Sequence, residues 1–163
     1  MQSTISVTPS TQHFLDLEEK HGAHNYHPLP VVLKKGSGVF LWDVDDKRYY
    51  DFLSGYSAVN QGHCHPAIIN SLTEQAQQLT LTSRAFHSNL LGEYEAYITK
   101  YFGYDKVLPM NTGVEAVETA LKLSRKWGYE VKGIPENQAK VIVCSQNFHG
   151  RTINVVSFIS DPT

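Results

Sequence analysis

The stretch that most constrains the fold of this chain covers residues 106–128, KVLPMNTGVEAVETALKLSRKWG. Residues 107–110 form an apolar run that predicts a short buried strand, residues 111–113 a tight turn, and the remainder an amphipathic helix. At roughly 100° per residue, one half of the helix carries Val114, Ala116, Val117, Ala120, Leu121, Leu123, Ser124 and Trp127, and the other half carries Glu115, Glu118, Thr119, Lys122, Arg125 and Lys126. The sequence therefore predicts one buried face and one face in water.

Both ends of the predicted helix carry recognisable signals. Thr112 followed by Glu115 has the form of a capping box, in which each side chain accepts a hydrogen bond from a backbone N–H of the other residue. At the other end, Arg125 and Lys126 suit the negative end of the helix dipole, and Gly128 can adopt the left-handed conformation that stops a helix. These signals predict a helix that ends at Gly128, and they need no ligand to explain them.

Gly113, at the turn between strand and helix, adds a functional interpretation. A glycine there lets an anion approach the first backbone N–H groups of the helix, where the dipole favours negative charge, so the turn suits a phosphate. The chain has no P-loop lysine motif and no G-x-G-x-x-G, which argues against nucleoside triphosphates and dinucleotides as ligands. On this segment alone, a plain capped helix and a phosphate site both remain open.

Length and composition narrow the class of protein. The chain has 163 residues, a net charge of −2 and 41% hydrophobic residues, which are the values of an ordinary domain without a basic surface for nucleic acid. Cys64 and Cys144 are too few for a disulfide framework and favour a reducing compartment. The first residues resemble neither a secretion signal nor a mitochondrial presequence, and no apolar run is long enough to span a membrane. The expectation is a cytoplasmic protein, or a mitochondrial-matrix protein whose presequence has been removed, with no membrane or nucleic-acid partner.

The rest of the chain predicts one hairpin and several helices. Helices are predicted over residues 11–20, 66–79 and 89–101. The segments VFLWDV and RYYDFL flank Asp45, Asp46 and Lys47, and such an Asp-rich turn between aromatic and β-branched residues predicts an antiparallel hairpin. A further turn is expected at residues 36–38. Tyr26 lies in the proline-containing loop GAHNYHPLP, where a lone tyrosine most often covers a core.

His63, Cys64 and His65 raise the question of a metal site. Adjacent ligands point apart along a backbone, and no second ligand pair at zinc-type spacing follows. Pro66 at the first position of a helix and His65 near its cap explain the same residues without a metal. No metal site is predicted.

A second apolar run, residues 141–144, predicts a strand parallel to the first, since a helix connects the two. Carboxyl ends of parallel strands meet at one edge of a sheet, so the loop SQNFHGRT is expected beside Gly113. Phe148 can stack on a flat ring, and Arg151 can bind a carboxylate with two parallel hydrogen bonds. Together they favour a phosphorylated aromatic cofactor that acts on an acid; taken separately, Phe148 in a core and Arg151 on the surface are the plainer interpretation.

Three segments carry a resemblance to a known family. LWDVDDKRYYDFLSGYSAVNQGHCHP, MNTGVEAVETALKLSRKWGY and NFHGRT closely resemble the ornithine aminotransferase branch of the class III pyridoxal-phosphate-dependent aminotransferases, which have fold type I. The likeness extends from about His13 onward. It implies an α/β fold in which residues 1–55 are the helix and antiparallel hairpin of the small domain. Residues 56–163 are then the first part of the large cofactor-binding domain, where a mostly parallel sheet flanked by helices begins.

The resemblance implies a cofactor site in two motifs. Thr112, Gly113 and Val114 match the turn that holds the phosphate of pyridoxal 5'-phosphate, with the N–H groups of Gly113 and Val114 as donors. Phe148 matches the aromatic residue that stacks on the pyridine ring. His149 stands where animal members often have tryptophan.

The resemblance also implies substrates. Arg151 matches the arginine that binds a substrate carboxylate, and Tyr26 and Tyr56 match the two tyrosines that position ornithine. The implied reaction moves the δ-amino group of L-ornithine to 2-oxoglutarate and gives glutamate 5-semialdehyde and glutamate, with the cofactor as electron sink. Acetylornithine and 4-aminobutyrate aminotransferases share the general pattern and supply the alternative substrates.

Length is the main departure from the family. Family members carry three further residues beyond position 163: the lysine that binds the cofactor, the aspartate paired with the pyridine nitrogen, and the glutamate that partners the arginine. No lysine of this chain lies in a matching motif. The expectation is the N-terminal portion of an aminotransferase, with no catalytic residue of its own, inactive alone, and completed by a homodimer or a complementing C-terminal chain. A non-catalytic remnant that binds only a partner subunit is the alternative.

Overall fold

The computed structural model of the protein describes residues 7–159. The chain divides into two compact units, Met1–Arg84 and Ala85–Thr163, and each is described by itself. The division predicted between residues 55 and 56 concerns the domains of the family and stays a prediction. Among the described residues, no helix combines the length and the apolar character that crossing a bilayer requires.

The first unit begins with helix α1, Pro9–His21. Thr8 caps this helix, because its hydroxyl oxygen accepts the N–H of Thr11, and the proline at the first helical position has no N–H to satisfy. The hydroxyls of Thr8 and Thr11 both donate to one carboxylate oxygen of Asp45, at 2.7 and 2.8 Å. The cap of α1 is thereby fixed to the turn of the hairpin, and the helix predicted over 11–20 is confirmed.

An antiparallel sheet follows, in the order β1 (Leu33–Ser37), β2 (Phe40–Asp43) and β3 (Arg48–Tyr50). The hairpin predicted around Asp45 joins β2 to β3 and is confirmed. Asp43 holds its turn, because the carboxylate accepts the N–H groups of Asp45 and Lys47 at 3.0 and 2.9 Å. The Tyr49 hydroxyl donates to the same carboxylate at 2.7 Å, which lowers the pKa of Asp43 and raises the pKa of Tyr49 to about 12.

The turn between β1 and β2 lies later in the sequence than predicted. Gly36 and Ser37, expected in the turn, belong to β1, where they pair with Leu41 and Phe40. Gly38 leaves the ladder instead, with a φ of +55°. The predicted turn was wrong at Gly36 and Ser37, because a Gly-Ser-Gly sequence indicates freedom of the backbone without showing which residue stops pairing.

Two helical segments complete the first unit. The first, α2 (Ser54–Ser57), is a single turn in a loop, and the second is α3 (Pro66–Gln78). Helix α3 begins at the proline predicted to start it, so the helix predicted over 66–79 is confirmed. Between them, Gly38 and His63 form an isolated antiparallel bridge that ties the loop to the sheet.

The second unit contains α4 (Asn89–Phe102), α5 (Gly113–Glu130) and the short α6 (Ile153–Val156). Ser88 caps α4 by accepting the N–H of Leu90 at 3.2 Å, and Gly103 ends it in the left-handed conformation. Helix α6 packs on α5, and its Val155 is the one fully buried apolar side chain within residues 7–159. The helix predicted over 89–101 is confirmed, and so is the helix that follows Thr112.

The two segments predicted as parallel strands, 107–110 and 141–144, are not strands in the structure. Within the described residues, the sheet consists of the three antiparallel strands of the first unit. An apolar, β-branched run indicates burial, whereas a strand also needs a neighbour that donates and accepts ladder hydrogen bonds. The described residues supply no such neighbour to either segment. The two segments therefore do not form the predicted start of a parallel sheet.

Helix α5 differs from its prediction at its end and on its faces. Gly128 does not stop the helix, which continues to Glu130. Gly128 is buried, and a Cβ there would lie 3.2 Å from Cδ1 of Ile134, so this glycine serves close packing instead of termination. Leu123 and Trp127, predicted on the buried face, are 67% and 53% exposed. The covered part of the helix is therefore smaller than the periodicity predicted.

Candidate functional site

A capping box closes the first turn of α5. The Thr112 hydroxyl oxygen accepts the N–H of Glu115 at 3.2 Å, and a Glu115 carboxylate oxygen accepts the N–H of Thr112 at 3.0 Å. The N–H of Ala116 bonds to the Thr112 carbonyl at 3.1 Å. Among the described residues, the N–H groups of Gly113 and Val114 have no acceptor. The predicted capping box is confirmed, and it leaves two backbone donors at the positive end of the helix dipole.

The space beside these two donors is open. A Cβ at Gly113 would meet no described atom within 4 Å, so nothing in this part of the chain fills the approach to the N–H groups. An oxyanion needs such an approach, since a backbone N–H donates to an oxygen at about 2.9 Å. The turn at Gly113 therefore meets the steric and hydrogen-bonding requirements of an anion site.

The loop that contains Phe148 forms a second wall of the same site. A cavity of about 410 Å³ lies between this loop and the start of α5. The residues that line it are Gly113, Val114, Val117, Phe148, His149 and Gly150. The structure thus brings Gly113, Val114 and Phe148, three of the predicted cofactor residues, to one cavity. Thr112, the fourth, lies at the helix cap immediately before it.

Arg151 lies next to Phe148. Its guanidinium carbon is 5.5 Å from the centroid of the Phe148 ring, which is the range of a cation–π contact. Phe148 is 66% exposed, so the interpretation that it fills a core is wrong for the described structure. The predicted aromatic ring and the predicted carboxylate-binding guanidinium are therefore neighbours, on the loop that faces the first turn of α5.

Gly150 allows this loop to approach α5 closely. Its φ is +116°, and a Cβ there would lie 2.7 Å from both Cβ and Cγ2 of Val114. A larger residue would push the loop away from the start of the helix. The segment NFHGRT does not reveal this role, because the role depends on a contact with a residue far away in the chain.

Glu118 fixes the same loop at its other end. Its carboxylate oxygens accept hydrogen bonds from the Thr152 hydroxyl at 2.5 Å and from the Asn154 side-chain amide at 2.9 Å. These bonds, that of Thr152 first, lower the pKa of Glu118. The periodicity placed Glu118 on the face in water, whereas the structure makes it the residue that joins α5 to the segment carrying Phe148 and Arg151. Its position one helical turn after Val114 was the available signal.

The two tyrosines predicted to bind substrate lie in the first unit. Tyr26 is 58% exposed and lines a cavity between α1 and the loop that follows it. Tyr56 is 85% exposed and lies in α2. Their positions relative to the cavity at Gly113 stay a prediction.

The turn α2 is left-handed. All four of its residues, Ser54–Ser57, have positive φ, and Tyr56 has φ +57° and ψ +47°, the values of a left-handed helix. This conformation costs a residue with a side chain about 1–2 kcal/mol. Strained backbone of this kind is concentrated at functional sites, where the surrounding structure holds it in place.

Asp51 and His63 close the loop that contains this turn. Asp51 Oδ1 accepts the N–H groups of Leu53 and Ser54 at 2.9 and 2.8 Å, and its Oδ2 lies 2.6 Å from Nε2 of His63. The Ser54 N–H and the His63 ring lower the pKa of Asp51. In the described part of the chain, no group of three or more His, Cys, Asp and Glu side chains is arranged to hold a metal ion.

Comparison with known protein families identifies the family to which the chain belongs. The family model for the class-III aminotransferases matches residues 21–162. The chain belongs to the class-III aminotransferases. A mitochondrial ornithine aminotransferase of Drosophila ananassae is 69% identical to it over 146 residues, which are 90% of this chain and 34% of the relative. The ornithine aminotransferase of Plasmodium falciparum (isolate 3D7) is 63% identical over 157 residues, 96% of this chain and 38% of the relative. The chain therefore spans about a third of the length of these relatives.

Solved structures agree with this class-III aminotransferase assignment. An acetylornithine aminotransferase from Elizabethkingia anophelis aligns with a TM-score of 0.83 at 67% identity, over 95% of this chain and 38% of its own length. The ornithine aminotransferase from Toxoplasma gondii ME49 aligns with a TM-score of 0.91 at 47% identity, over 94% of this chain and 36% of its own. The predicted fold class, the N-terminal part of a class III aminotransferase fold, is confirmed.

Class-III aminotransferases depend on pyridoxal 5'-phosphate, and the cavity fits that group. A phosphate needs backbone donors with open space beside them, which Gly113 and Val114 provide. A pyridine ring needs a flat apolar partner within the same cavity, which the exposed ring of Phe148 provides. The individual roles of these residues toward the cofactor stay predictions.

Proposed function

We propose that this chain, within the protein at its natural length, is the N-terminal part of a pyridoxal-phosphate-dependent ornithine aminotransferase. That enzyme moves the δ-amino group of L-ornithine to 2-oxoglutarate and releases glutamate 5-semialdehyde and glutamate. One observation carries the proposal: the backbone N–H groups of Gly113 and Val114, which have no acceptor within residues 7–159, share a cavity with the exposed ring of Phe148. The relatives named ornithine aminotransferase support the choice of substrate.

The cavity residues have separate tasks in this proposal. The N–H groups of Gly113 and Val114 donate to the phosphate, and the Thr112 hydroxyl keeps a proton to donate there while its oxygen accepts from the helix. The ring of Phe148 stacks on the pyridine, and Arg151 binds a substrate carboxylate.

The remaining tasks are divided between the cofactor and the tyrosines. The cofactor, when bound, supplies the electron sink for the amino transfer. Tyr26 and Tyr56 position ornithine, and both are exposed enough to offer a hydroxyl to the substrate. No lysine of this chain lies in the family's cofactor-binding motif. A polypeptide of these 163 residues alone is therefore expected to show no turnover.

The proposal is tested by measuring turnover in the protein at its natural length. Pyridoxal 5'-phosphate, L-ornithine and 2-oxoglutarate are added, glutamate 5-semialdehyde is quantified, and the absorbance of bound cofactor is recorded in the same sample. We expect semialdehyde from the natural-length protein and none from the 163-residue polypeptide. Bound cofactor without semialdehyde contradicts the proposed substrate, and absence of bound cofactor contradicts the proposed site.

Acetylornithine or 4-aminobutyrate is the second candidate substrate. It is favoured by the 67% identity of this chain to the Elizabethkingia protein named acetylornithine aminotransferase. Tyr56→Phe separates the candidates, because loss of one hydroxyl contact is expected to lower kcat/KM for ornithine about tenfold. Tyr50→Phe is the matched control, since Tyr50 is also an exposed tyrosine of the first unit. Unchanged ornithine turnover in the Tyr56 variant supports the second candidate.

Assembly and compartment are further proposals. The family resemblance supports a homodimer, which light scattering of the natural-length protein tests. The mitochondrial name of the Drosophila ananassae relative supports the matrix, and a cytoplasmic location is the alternative; cell fractionation decides between them. A stable 163-residue species without bound cofactor supports the non-catalytic remnant.

A further inference from the structure

The loop over residues 51–63 is tied at both ends to one turn of the sheet. The N–H of Asp51 donates to the Val39 carbonyl at 2.9 Å. His63 exchanges two backbone hydrogen bonds with Gly38, at 2.8 and 2.9 Å. The side chains join the same two ends, because Oδ2 of Asp51 lies 2.6 Å from Nε2 of His63. The loop is therefore a closed, compact segment.

Both members of this pair are shielded from water. The side chain of Asp51 is 9% exposed and that of His63 is 22% exposed. Gly36 makes room for the imidazole, since a Cβ there would lie 2.7 Å from Cγ of the ring. A hydrogen bond to a shielded carboxylate is stronger than one at an open surface, so the pair can hold the loop ends together.

The closed loop presents Tyr56 in a conformation that its residues do not favour. The φ angles from Ser54 to Ser57 are +51°, +55°, +57° and +70°, and three of these four residues have side chains. The N–H of Val59 bonds to the Ser54 carbonyl at 3.1 Å and closes the turn from behind. The beginning of the left-handed turn is fixed by Asp51, because Oδ1 of Asp51 accepts the N–H of Ser54.

We propose that Asp51 and His63 are positioning residues that hold Tyr56 in its left-handed turn and thereby give the enzyme its affinity for a diamino acid. The inference rests on the proposed function, because the role of Tyr56 toward ornithine is part of it. Asp51 holds the turn, His63 holds Asp51, and neither contacts the substrate. A hydroxyl that must meet one particular group of the substrate tolerates little displacement, so release of the loop end weakens binding of that substrate selectively.

Three variants of the natural-length protein with bound cofactor test the inference. His63→Ala removes the pair, and His63→Gln keeps an N–H donor near the place of Nε2. His65→Ala is the matched control, since the side chain of His65 makes no hydrogen bond or ion pair with the described residues. We expect His63→Ala to raise KM for ornithine about tenfold while kcat, KM for 2-oxoglutarate and cofactor absorbance stay within about twofold. His63→Gln restores KM to within about threefold of the unmodified protein, and His65→Ala leaves it unchanged.

Limited proteolysis supplies a second readout that needs no activity. Chymotrypsin cleaves after Phe52, Leu53 and Tyr56, which are 95%, 59% and 85% exposed. Because cleavage requires local opening of the loop, His63→Ala is expected to speed it, and His63→Gln and His65→Ala are not. If the unmodified enzyme does not use ornithine, the proposed function fails, while the cleavage rates still decide whether the pair holds the loop.

The inference is overturned if His63→Ala equals His65→Ala in both KM and cleavage rate. It is also overturned if His63→Ala changes KM for both substrates and the cofactor content alike, because that pattern indicates a general loss of structure. Failure of glutamine to rescue either readout contradicts the proposed bond to Asp51.

Discussion

The turn at Gly113 and the turn at Tyr56 are held in different ways. The first begins a right-handed helix, and its cap joins Thr112 to Glu115, three residues apart. The second is left-handed, and the side-chain pair that closes its loop joins Asp51 to His63, twelve residues apart. The first turn offers backbone N–H groups, whereas the second offers a side chain.

The difference follows from what each turn presents. Backbone donors at a helix N-terminus need only a regular helix, which a local capping box can stabilise. A side chain on a left-handed turn needs support from outside the turn, because its own residues favour another conformation. Local sequence can therefore specify the anion-binding turn, while long-range contacts must specify the turn that carries Tyr56.

Gly150→Ala is expected to have the largest effect, because it pushes the loop of Phe148 away from the first turn of α5. The new Cβ would lie 2.7 Å from two atoms of Val114, at a φ of +116°. We expect cofactor affinity to fall on the order of 100-fold, since an overlap that costs about 1–3 kcal/mol is relieved by moving the Phe148 ring away from the N–H donors of Gly113 and Val114. Absorbance titration of the natural-length protein with pyridoxal 5'-phosphate measures the change.

Gly92→Ala is the matched control for this change. Gly92 lies in α4, and a Cβ there would meet no described atom within 4 Å. Affinity is expected to stay unchanged in this variant. An equal loss in both variants would show that any added methyl group in the second unit weakens cofactor binding, and Gly150 would then have no special role.

Glu118→Ala is expected to weaken the binding of both substrates. Removal of the carboxylate releases Thr152 and Asn154, and with them the loop that carries Arg151. Both substrates have a carboxylate for Arg151 to bind, so we expect KM for ornithine and for 2-oxoglutarate to rise together, on the order of tenfold. Steady-state kinetics with each substrate varied in turn measures this.

The control for Glu118 is another glutamate of the same helix. Glu130 is exposed and forms a 3.9 Å surface ion pair with Lys126, which contributes little, so Glu130→Ala is expected to leave both KM values unchanged. The pattern differs from that of His63→Ala, for which only the KM for ornithine is expected to rise. If Glu118→Ala raised one KM alone, the loop would not act on the carboxylate shared by both substrates.

The contacts that hold the turn at Gly113 could be predicted from the sequence, whereas most of the contacts that hold the turn at Tyr56 could not. The capping box of Thr112 and Glu115 could be predicted because its parts are three residues apart. The roles of Gly150, Asp51 and His63 could not, because each depends on a residue that folding brings near. The resemblance to the class III family identified Tyr56 as a candidate but gave no account of its backbone.

The errors in the fold have the same physical origin. The runs over 107–110 and 141–144 predicted strands from side-chain character, whereas strand formation depends on neighbours that local sequence does not reveal. Gly128 predicted a helix stop from its freedom to take positive φ, whereas its contact with Ile134 makes it a packing residue. In each case the residues have the local preference that was predicted, but a tertiary contact, or the absence of one among the described residues, determines the structure.

Thr112→Ala tests the turn at Gly113, which is held by a local capping box, and its effect on stability should be smaller. The helix loses a side-chain cap, which destabilises the second unit by about 1 kcal/mol. Urea unfolding followed by circular dichroism measures the change, and Thr112→Ser, which keeps the hydroxyl, is expected to restore most of it. Cleavage by chymotrypsin after Tyr56 should not change. If it did, the two turns would not be held independently.

Acidification is expected to have the smallest effect on the two loops. It acts on the two carboxylates that hold them. Asp51 and Glu118 have pKa values below their ordinary values of 3.8 and 4.5, because each accepts hydrogen bonds in the folded state. A lowered pKa means that each carboxylate stabilises the fold fully above its ordinary value, and that this contribution disappears as the pH falls through the folded-state value. We therefore expect no change between about pH 7 and 5, and loosening of both loops below about pH 4.

Hydrogen exchange followed by mass spectrometry, on peptides covering residues 51–63 and 148–158, separates the two contributions. Asp51→Asn is expected to flatten the acid dependence of exchange in the first peptide only, because it removes the group that titrates there. Glu118→Gln is expected to flatten it in the second peptide only. If either variant changed both peptides, one acid-sensitive event would control both loops, and the contrast between locally and distantly held turns would have to be replaced by a single cooperative unit.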